Sequence, residues 1–577
     1  MSIVRPFFLG HIEPEGLFPY PEISPDEAET ADILRRSLDQ FAEQHIDSRV
    51  IDAEAKIPAE VLSGLAELGI FGIVVPEAYD GFGGSETLYA KIFETVATID
   101  SSIVTTLGAH QSIGLKGILA YGTEEQKQRF LPPLARGEQF AAFALTEPGA
   151  GSDAASIQTR AVYDTDRDAY ILNGTKIWIT NGGFAEIFTV FAQTEVERDG
   201  KLVDRITAFI VPRSLGGVTS GPEEHKLGIR GSSTTEVHFE NTVVPADHVL
   251  GDAGHGFKVA MGTLNAGRLG LAAGCVGGIK DALVTATRAA TDRRQFGRSI
   301  ASFEMTQGKL VHMALEAYAC ESMVYLTTGL VDSGDDDYSL ESAICKVYCS
   351  EAVWHATNEA LQIAGGMGYM QEFAYERGLR DSRINLIFEG TNEILRLYTA
   401  LAGLEEPGAH LKAVAKALRD PIHQLGVLSE YARERARRTM GAPDLPELHP
   451  EVEAIAGPLP EYVADFAGVV EWALRRHGEK IIERQLVLER IAAAAIDLYR
   501  IAAVISRADQ GRRADDGERG AAHVRRARLI VNEAWRNVRR NVATVRSNLD
   551  DDVRAVASEL TDSGGAYLPG HSRAGSR

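Results

Sequence analysis

The sequence predicts a mainly α-helical chain with one β domain set in its middle, and three observations carry that reading. Apolar residues recur at helical spacing from Ser24 to about Arg136 and again from Gly256 to about Leu404. Between Phe140 and Pro245 the pattern changes to short β-branched and aromatic runs separated by Gly, Asn and Asp. Beyond Leu404, two Arg- and Ala-rich helical patterns follow a proline-containing break. At roughly 100–200 residues per domain, 577 residues make three or four domains. The expected division is a helical domain over 20–139, a β domain over 140–250, a helical bundle over 251–404 and an appended helical region over 405–560. A Gly/Ser-rich end at 561–577 is expected to be disordered.

Each element has a local reason. Ser24-Pro25-Asp26-Glu27 is a helix start with an N-cap, a proline and early acids, leading into Ala31–Phe41, and Ile57–Leu68 repeats the apolar spacing. Gly69–Pro76 and Tyr79–Gly84 form a turn-rich break before helices at Glu86–Ile99, Val104–Ala120 and Glu124–Leu134. Expected strands are Phe140–Leu145, Ala169–Leu172, Ile177–Thr180, Phe188–Gln193, Ile206–Val211 and Thr235–Phe239, in an antiparallel arrangement. Glu405-Glu406-Pro407 and Gly441–Pro450 read as connectors, and Pro458–Ala508 and Ala521–Leu560 as two long helices.

Composition narrows the function classes. A net charge of −22 argues against a nucleic-acid binder, which needs a basic footprint. The charge is segregated. Residues 404–577 hold 27 Lys+Arg and 26 Asp+Glu, leaving 32 basic and 55 acidic residues before them. Eight arginines at 519–546 (519, 525, 526, 528, 536, 539, 540, 546) face a single acid, Glu533. Four cysteines without a CxxC pair predict reduced, buried thiols, and no metal is expected. The most apolar run, Ile491–Ser506, is broken by Asp497 and Arg500 and falls short of the ~20 residues of a membrane span. The acids that follow the first ten residues are unlike a transit peptide, so a cytoplasmic, bacterial-type chain is expected.

Three segments carry chemistry. In Ala144–Asp153 (ALTEPGAGSD), glycines flanking Ala150 and a following Ser152 let backbone N–H groups approach an anion; a plain strand-to-loop turn is the alternative. Trp178-Ile179-Thr180 ends a strand with a flat aromatic and a hydroxyl suited to a planar ring, or else with a core tryptophan beside a turn. Phe388-Glu389-Gly390-Thr391-Asn392-Glu393 places a carboxylate just before a helix start; apolar surroundings such as Leu386, Ile387 and Phe388 would raise its pKa toward that of a general base.

TEPGAGSD, WITNGG, RRQFG at Arg293–Gly297, QIAGGMG at Gln362–Gly368 and FEGTNEILR at Phe388–Arg396, in this order, resemble the acyl-CoA dehydrogenases. The resemblance covers residues 20 to 404, and the tail HGEKIIERQLVLERIAAAAIDLY is similar to the C-terminal extension of the very-long-chain branch. It implies helical, β-barrel and four-helix-bundle domains, an FAD cofactor, and oxidation of a long- or very-long-chain acyl-CoA to the trans-2-enoyl-CoA in fatty acid β-oxidation, with electrons leaving through an electron-transfer flavoprotein. Glu389 matches the catalytic base. Phe143, Leu145, Thr146, Gly151, Ser152, Trp178, Ile179, Thr180, Thr391, Asn392 and Glu393 match flavin contacts. Arg293, Gln295 and Phe296, with Gln362, Gly365 and Gly366, match segments that hold the partner subunit's FAD, which implies a homodimer. Ser152, Asn265, Arg268, Phe388 and Gly390 match substrate contacts, with Arg268 toward the CoA side. Some branches carry the base at position 267; here it is glycine. Phe303-Glu304 departs from the family pattern, and no cofactor contact is carried there.

Small residues at Thr105–Ala109 read either as the wall of a deep acyl channel or as tight helix packing. The arginines of 519–546 read as docking on the acidic dimer surface of the first 403 residues, or as a basic face on anionic lipid at the inner side of the membrane. Tyr431–Met440 is the other candidate for peripheral membrane contact. An acyl-CoA oxidase, or a scaffold that keeps the fold without the activity, are the alternative functions.

Overall fold

The computed structural model describes residues 2–335, 337–417 and 445–568. Local chemistry sets the N-terminal helices. Ser24 accepts from the Glu27 N–H at the start of Pro25–His45, Asp100 accepts from the Ser102 and Ile103 N–H groups at Ser101–Gly108, and Thr123 and Gln126 form a reciprocal capping box on Glu124–Ala135. The expected Val104–Ala120 helix is not uniform. Its middle, Ala109–Leu115, winds as a π-helix, a distortion that accompanies functional sites. His110 pins that segment to the β domain: its Nδ1 accepts from the Ala141 N–H at 3.0 Å while its Nε2 donates to the Leu134 carbonyl at 3.0 Å.

The β domain is one sheet of β1 (Ala141–Ala144), β2 (Arg160–Asp164), β3 (Ala169–Thr180), β4 (Ile187–Arg198), β5 (Lys201–Pro212), β6 (Val218–Glu223), β7 (Thr234–Pro245) and β8 (Val249–Leu250). Their order is β6-β7-β3-β2-β4-β5-β8, with β1 beside β4. The sheet corrects the antiparallel expectation, because β1 and β2 both meet β4 in parallel. Two expected strands merge into β3, whose register against β7 shifts at Leu172/Gly174 and at Lys176/Ile179. β6 escaped the sequence pattern because it carries Gly221 and Pro222, tolerable at an edge.

Gly256–Asp292, Glu304–Asp332, Ser339–Ala364 and Asn392–Ala417 form the second helical layer, with Gly256–Asp292 at its centre against Ser339–Ala364 and Glu86–Ile99. Among the described residues, that central helix and not Ile491–Ser506 is long and apolar enough by length and composition to cross a membrane, although most of its most apolar stretch is buried against neighbouring helices. The four cysteines are free and buried in this region.

Two boundaries differ from the reading of the sequence. Pro407 lies inside Asn392–Ala417 rather than in a connector. Burial of Leu404 and Val414 beside Leu459–His477 outweighs the ~3 kcal/mol that an interior proline costs. Each long C-terminal pattern is also broken. Gly478 (φ +55°) ends Leu459–His477 before Gln485–Ala514, and 547–549 separate Glu518–Arg546 from Asp550–Asp562.

The appended helices share one core with the bundle. The buried Tyr499 hydroxyl meets Thr327 Oγ1 at 2.7 Å, Arg507 pairs with Glu321 at 2.5 Å, and Ser506 donates to the Leu17 carbonyl. Glu518–Arg546 packs inward through Val524, Ala527, Ile530, Val531 and Ala534. All eight of its arginines are exposed on the single chain, facing away from the preceding domains of the same chain. Tyr431–Met440 lies outside the described residues.

Candidate active site

The sharpest backbone feature of the bundle is the turn before Asn392–Ala417, where Glu389 has φ +60° and Gly390 φ +92°. A non-glycine residue in this region costs of order 1–3 kcal/mol and persists only when its surroundings hold it. Here three groups do. Lys346 Nζ, fully buried, donates to the Gly390 carbonyl and to Asn392 Oδ1, both at 2.8 Å. Arg268 Nε donates to the Glu389 carbonyl at 3.2 Å, and its Nη1 is held by Asn265 Oδ1 at 2.9 Å. Thr391 Oγ1 caps the helix by accepting from the Ile394 N–H at 3.3 Å.

The Glu389 side chain is left free by this scaffold. Its Oε2 is buried and has no hydrogen-bond partner, and a Cβ placed on Gly267 would come within 3.0 Å of it. Burial pushes the carboxyl up to about 7, against the opposing pull of Arg268 and Lys346. Of the adjacent residues, Ile387 is exposed while Phe388 lines the same cavity, which Ile113 and Leu271 wall from other elements.

Glu389 stands in the wall of a cavity of about 350 Å³, within the range of small-molecule sites. From Gly267 to Thr285 the Gly256–Asp292 helix lines it, a rise of roughly 27 Å at 1.5 Å per residue. Gly267, Gly274, Gly278 and Ala282 keep that wall low, and the cavity is also lined by Thr105 and Gly108 of Ser101–Gly108 and by Ala109, Ser112 and Ile113 of the π-wound stretch.

Thr180 brings the β domain into the same cavity. Two residues earlier, Trp178 has φ +57° and is 63% exposed, at the register shift of β3. Beneath it, the fully buried Lys176 donates to Glu147 Oε1 at 2.7 Å and to the Leu145 carbonyl at 3.0 Å. Glu147 in turn accepts from the Gln158 N–H at 2.5 Å and the Thr159 N–H at 2.9 Å. One ion pair thus anchors the 145–159 loop to the strand that presents Trp178 and Thr180. Lys176→Met strands the Glu147 carboxylate and is expected to cost about 3–5 kcal/mol in chemical denaturation; a loss below 1 kcal/mol would sink this account. Phe143 packs on Phe191, Leu145 and Ile179 are buried, Thr146 accepts from the Ile177 N–H, and Ser152 is exposed. A Cβ on Gly149 or Gly151 would meet no atom of the chain within 4 Å.

The remaining expected residues form a separate cluster. Arg293 Nη1 donates to the Ala364 carbonyl at 3.1 Å, and a Cβ on Gly365 would fall 2.4 Å from that nitrogen. Gln295, Gln362 and Gly366 are exposed, and Phe296 is 94% exposed at the tip of a hairpin. This cluster lies roughly 38 Å along the Gly256–Asp292 helix from Gly267. Asn392 is buried and spent on Lys346, Ser350 and Glu351, while Glu393 is exposed. Arg268 is turned to the Glu389 backbone rather than outward.

Sequence reasoning missed Lys346 and Lys176. The signal available was a lone lysine inside an apolar run, Ala343-Ile344-Cys345-Lys346-Val347 and, less clearly, Thr175-Lys176-Ile177.

Comparison with known proteins bears on the whole chain. The N-terminal, middle and C-terminal domain descriptions of acyl-CoA dehydrogenase match residues 28–138, 142–242 and 254–403, and the C-terminal domain of the ACAD9/ACADV group matches 450–566. The chain belongs to the acyl-CoA dehydrogenase family. Among its relatives, the very long-chain specific acyl-CoA dehydrogenase, mitochondrial, of Rattus norvegicus is 42% identical over 97% of this chain and 87% of its own length. A crystal structure of an acyl-CoA dehydrogenase complexed with FAD from Bacillus anthracis superposes with a TM-score of 0.78 at 31% identity, covering 99% of this chain and 96% of that one. Butyryl-CoA dehydrogenase from Megasphaera elsdenii, 36% identical with a TM-score of 0.62, covers 66% of this chain and 99% of its own, so the shorter dehydrogenase has no counterpart to a third of this one.

Proposed function

We propose that this family member catalyses FAD-dependent α,β-dehydrogenation of long- or very-long-chain acyl-CoA to trans-2-enoyl-CoA in fatty acid β-oxidation, passing electrons to an electron-transfer flavoprotein. The observation that carries the reading is the unpartnered Glu389 carboxylate in the wall of a long cavity that it shares with Thr180.

The residues present fit FAD. Trp178 offers an exposed aromatic face beside Thr180, and the 145–152 loop has glycines that nothing within the chain demands, as though another group approaches them. Phe143–Ser152 and Trp178–Thr180 would hold the flavin portion, with Thr391 and Glu393 at the helix start. When bound, FAD supplies the two-electron acceptor for the β-hydrogen. The chain's own work is proton removal. Glu389 takes the α-proton, its raised pKa making it basic enough near neutral pH while it is still ionised in a useful fraction. Arg268 and Lys346 hold its backbone so that the carboxylate has one aim, and the Glu389 N–H is the donor for the thioester oxygen as charge develops there. Ser152, Phe388 and Gly390 are the substrate contacts that remain available, whereas Arg268 and Asn265 position the base.

Two copies complete the site. Arg293, Gln295, Phe296, Gln362, Gly365 and Gly366 stand too far along the helix to serve this chain's Glu389, and exposed Phe296, Met367, Tyr369 and Met370 give that end an apolar surface suited to a second subunit.

Anaerobic bleaching of the flavin with an acyl-CoA series tests the reading. Rapid bleaching by long chains is expected; bleaching only by the shortest, or none, overturns it. Release of peroxide in proportion to product would instead mark an oxidase, and a scaffold would not bleach at all. Ala282→Phe, deep in the cavity, is expected to slow bleaching by the longest substrates about tenfold or more while sparing short ones. Equal loss at every length would remove the channel from the account.

A further inference from the structure

Away from the catalytic cavity, Glu304–Asp332 carries His312 and Glu316 one turn apart on the same face, and His355 of Ser339–Ala364 reaches toward the same carboxylate. His312 Nε2 lies 3.3 Å and His355 Nδ1 3.7 Å from Glu316 Oε1. One donor atom from each residue falls within 4.8 Å of the other two. The second carboxylate oxygen, Oε2, is buried without a partner in a residue only 8% exposed. We propose that His312, Glu316 and His355 form a Zn²⁺ site at the seam between the catalytic bundle and the appended helices.

Geometry and charge both support the assignment. Tetrahedral zinc with bonds of roughly 2.0–2.1 Å sets its donors roughly 3.3 Å apart. The first edge has that length; the other two, 3.7 Å and at most 4.8 Å, close by rotation of the exposed His355 ring. Two imidazoles and one carboxylate are a borderline donor set that suits zinc. The cleft around them is lined by six carboxylates and four arginines, a net negative setting. Arg500 of Gln485–Ala514, which lines the same cleft, is offset by Asp497 at 2.8 Å and Glu533 at 3.7 Å. The fourth position opens into this cleft, leaving room for water. None of the three residues lines the cavity of Glu389, so the ion's role is to clamp Glu304–Asp332 to Ser339–Ala364, the helix that carries Lys346 on another face.

Tag-free, full-length protein loaded with FAD and stripped by chelator is dialysed against ZnCl₂, and bound metal is measured by mass spectrometry. One zinc per chain is expected, with a higher midpoint of thermal unfolding, and Co²⁺ is expected to give the visible bands of a tetrahedral site. His312→Ala and His355→Ala should weaken zinc binding at least about tenfold while keeping FAD content and flavin bleaching. Because His355 is exposed, its variant separates loss of the site from loss of the fold. Wild-type protein that binds no more zinc than His355→Ala, or Co²⁺ without tetrahedral bands, overturns the proposal and leaves a metal-free His–Glu–His cluster.

Discussion

Glu389→Gln is expected to keep bound FAD and to bind acyl-CoA, yet to slow anaerobic bleaching by at least about 10³-fold, in line with loss of a general base. The amide is nearly isosteric and leaves the Lys346 and Arg268 bonds to the turn intact, since both reach backbone or Asn392 atoms rather than the carboxylate. What disappears is the proton acceptor. The pH dependence follows from the same group. The carboxyl has its pKa raised to about 7, so the wild-type bleaching rate should fall about tenfold per pH unit below that value and level off above it, because only the ionised form takes a proton. In Glu389→Gln the acid limb should vanish from the residual rate. A variant that bleaches within threefold of wild type, or that keeps the limb, would show that another group is the base.

Lys346→Met should produce the next largest loss. Removing the ammonium strands the part-buried Gly390 carbonyl, at about 1–3 kcal/mol, leaves Asn392 Oδ1 only the longer bond from Ser350 Oγ, and releases the turn that aims Glu389. A displacement of the order of 1 Å costs about 10²-fold in rate. Stability loss alone would lower the amount of active enzyme and leave its pH profile in place. A positioning role has a second signature. Lys346 also holds down the Glu389 pKa, so its removal should move the acid limb of bleaching to higher pH. A variant with its limb unmoved and its loss of rate explained by unfolded protein would reduce Lys346 to packing.

The elements of this fold were legible where the cause is local. Ser24, Asp100 and Thr123 cap helices through neighbours two or three residues away, and the β-branched and aromatic runs Phe188–Gln193 and Ile206–Val211 are each a property of one strand. The segments proposed for the site stood out for another reason, since TEPGAGSD, WITNGG and FEGTNEILR are continuous. What escaped depends on partners far along the chain. Lys346 matters because Gly390 lies 44 residues on, and beside the neighbouring Phe388 the cavity around Glu389 is walled by Ile113 and Leu271 from other elements. The π-wound stretch has no periodic signature, and Pro407 reads as a break until Leu404 and Val414 are seen to be buried. Segregated charge suggested arginines docked on acids; the helix docks by its apolar stripe, and the arginines are what is left outside.

The core common to the bundle and the Gln485–Ala514 helix bears on how such a chain arises. Tyr499 against Thr327 and Arg507 against Glu321 are contacts in which neither side is satisfactory alone. A dehydrogenase that ends near residue 404 must therefore differ on the outer faces of Glu304–Asp332 and Ser339–Ala364, either turning them polar or covering them with another molecule. In this chain the extra helices are therefore not a detachable segment: deleting them would uncover Thr327, Glu321 and the apolar core around them in one step.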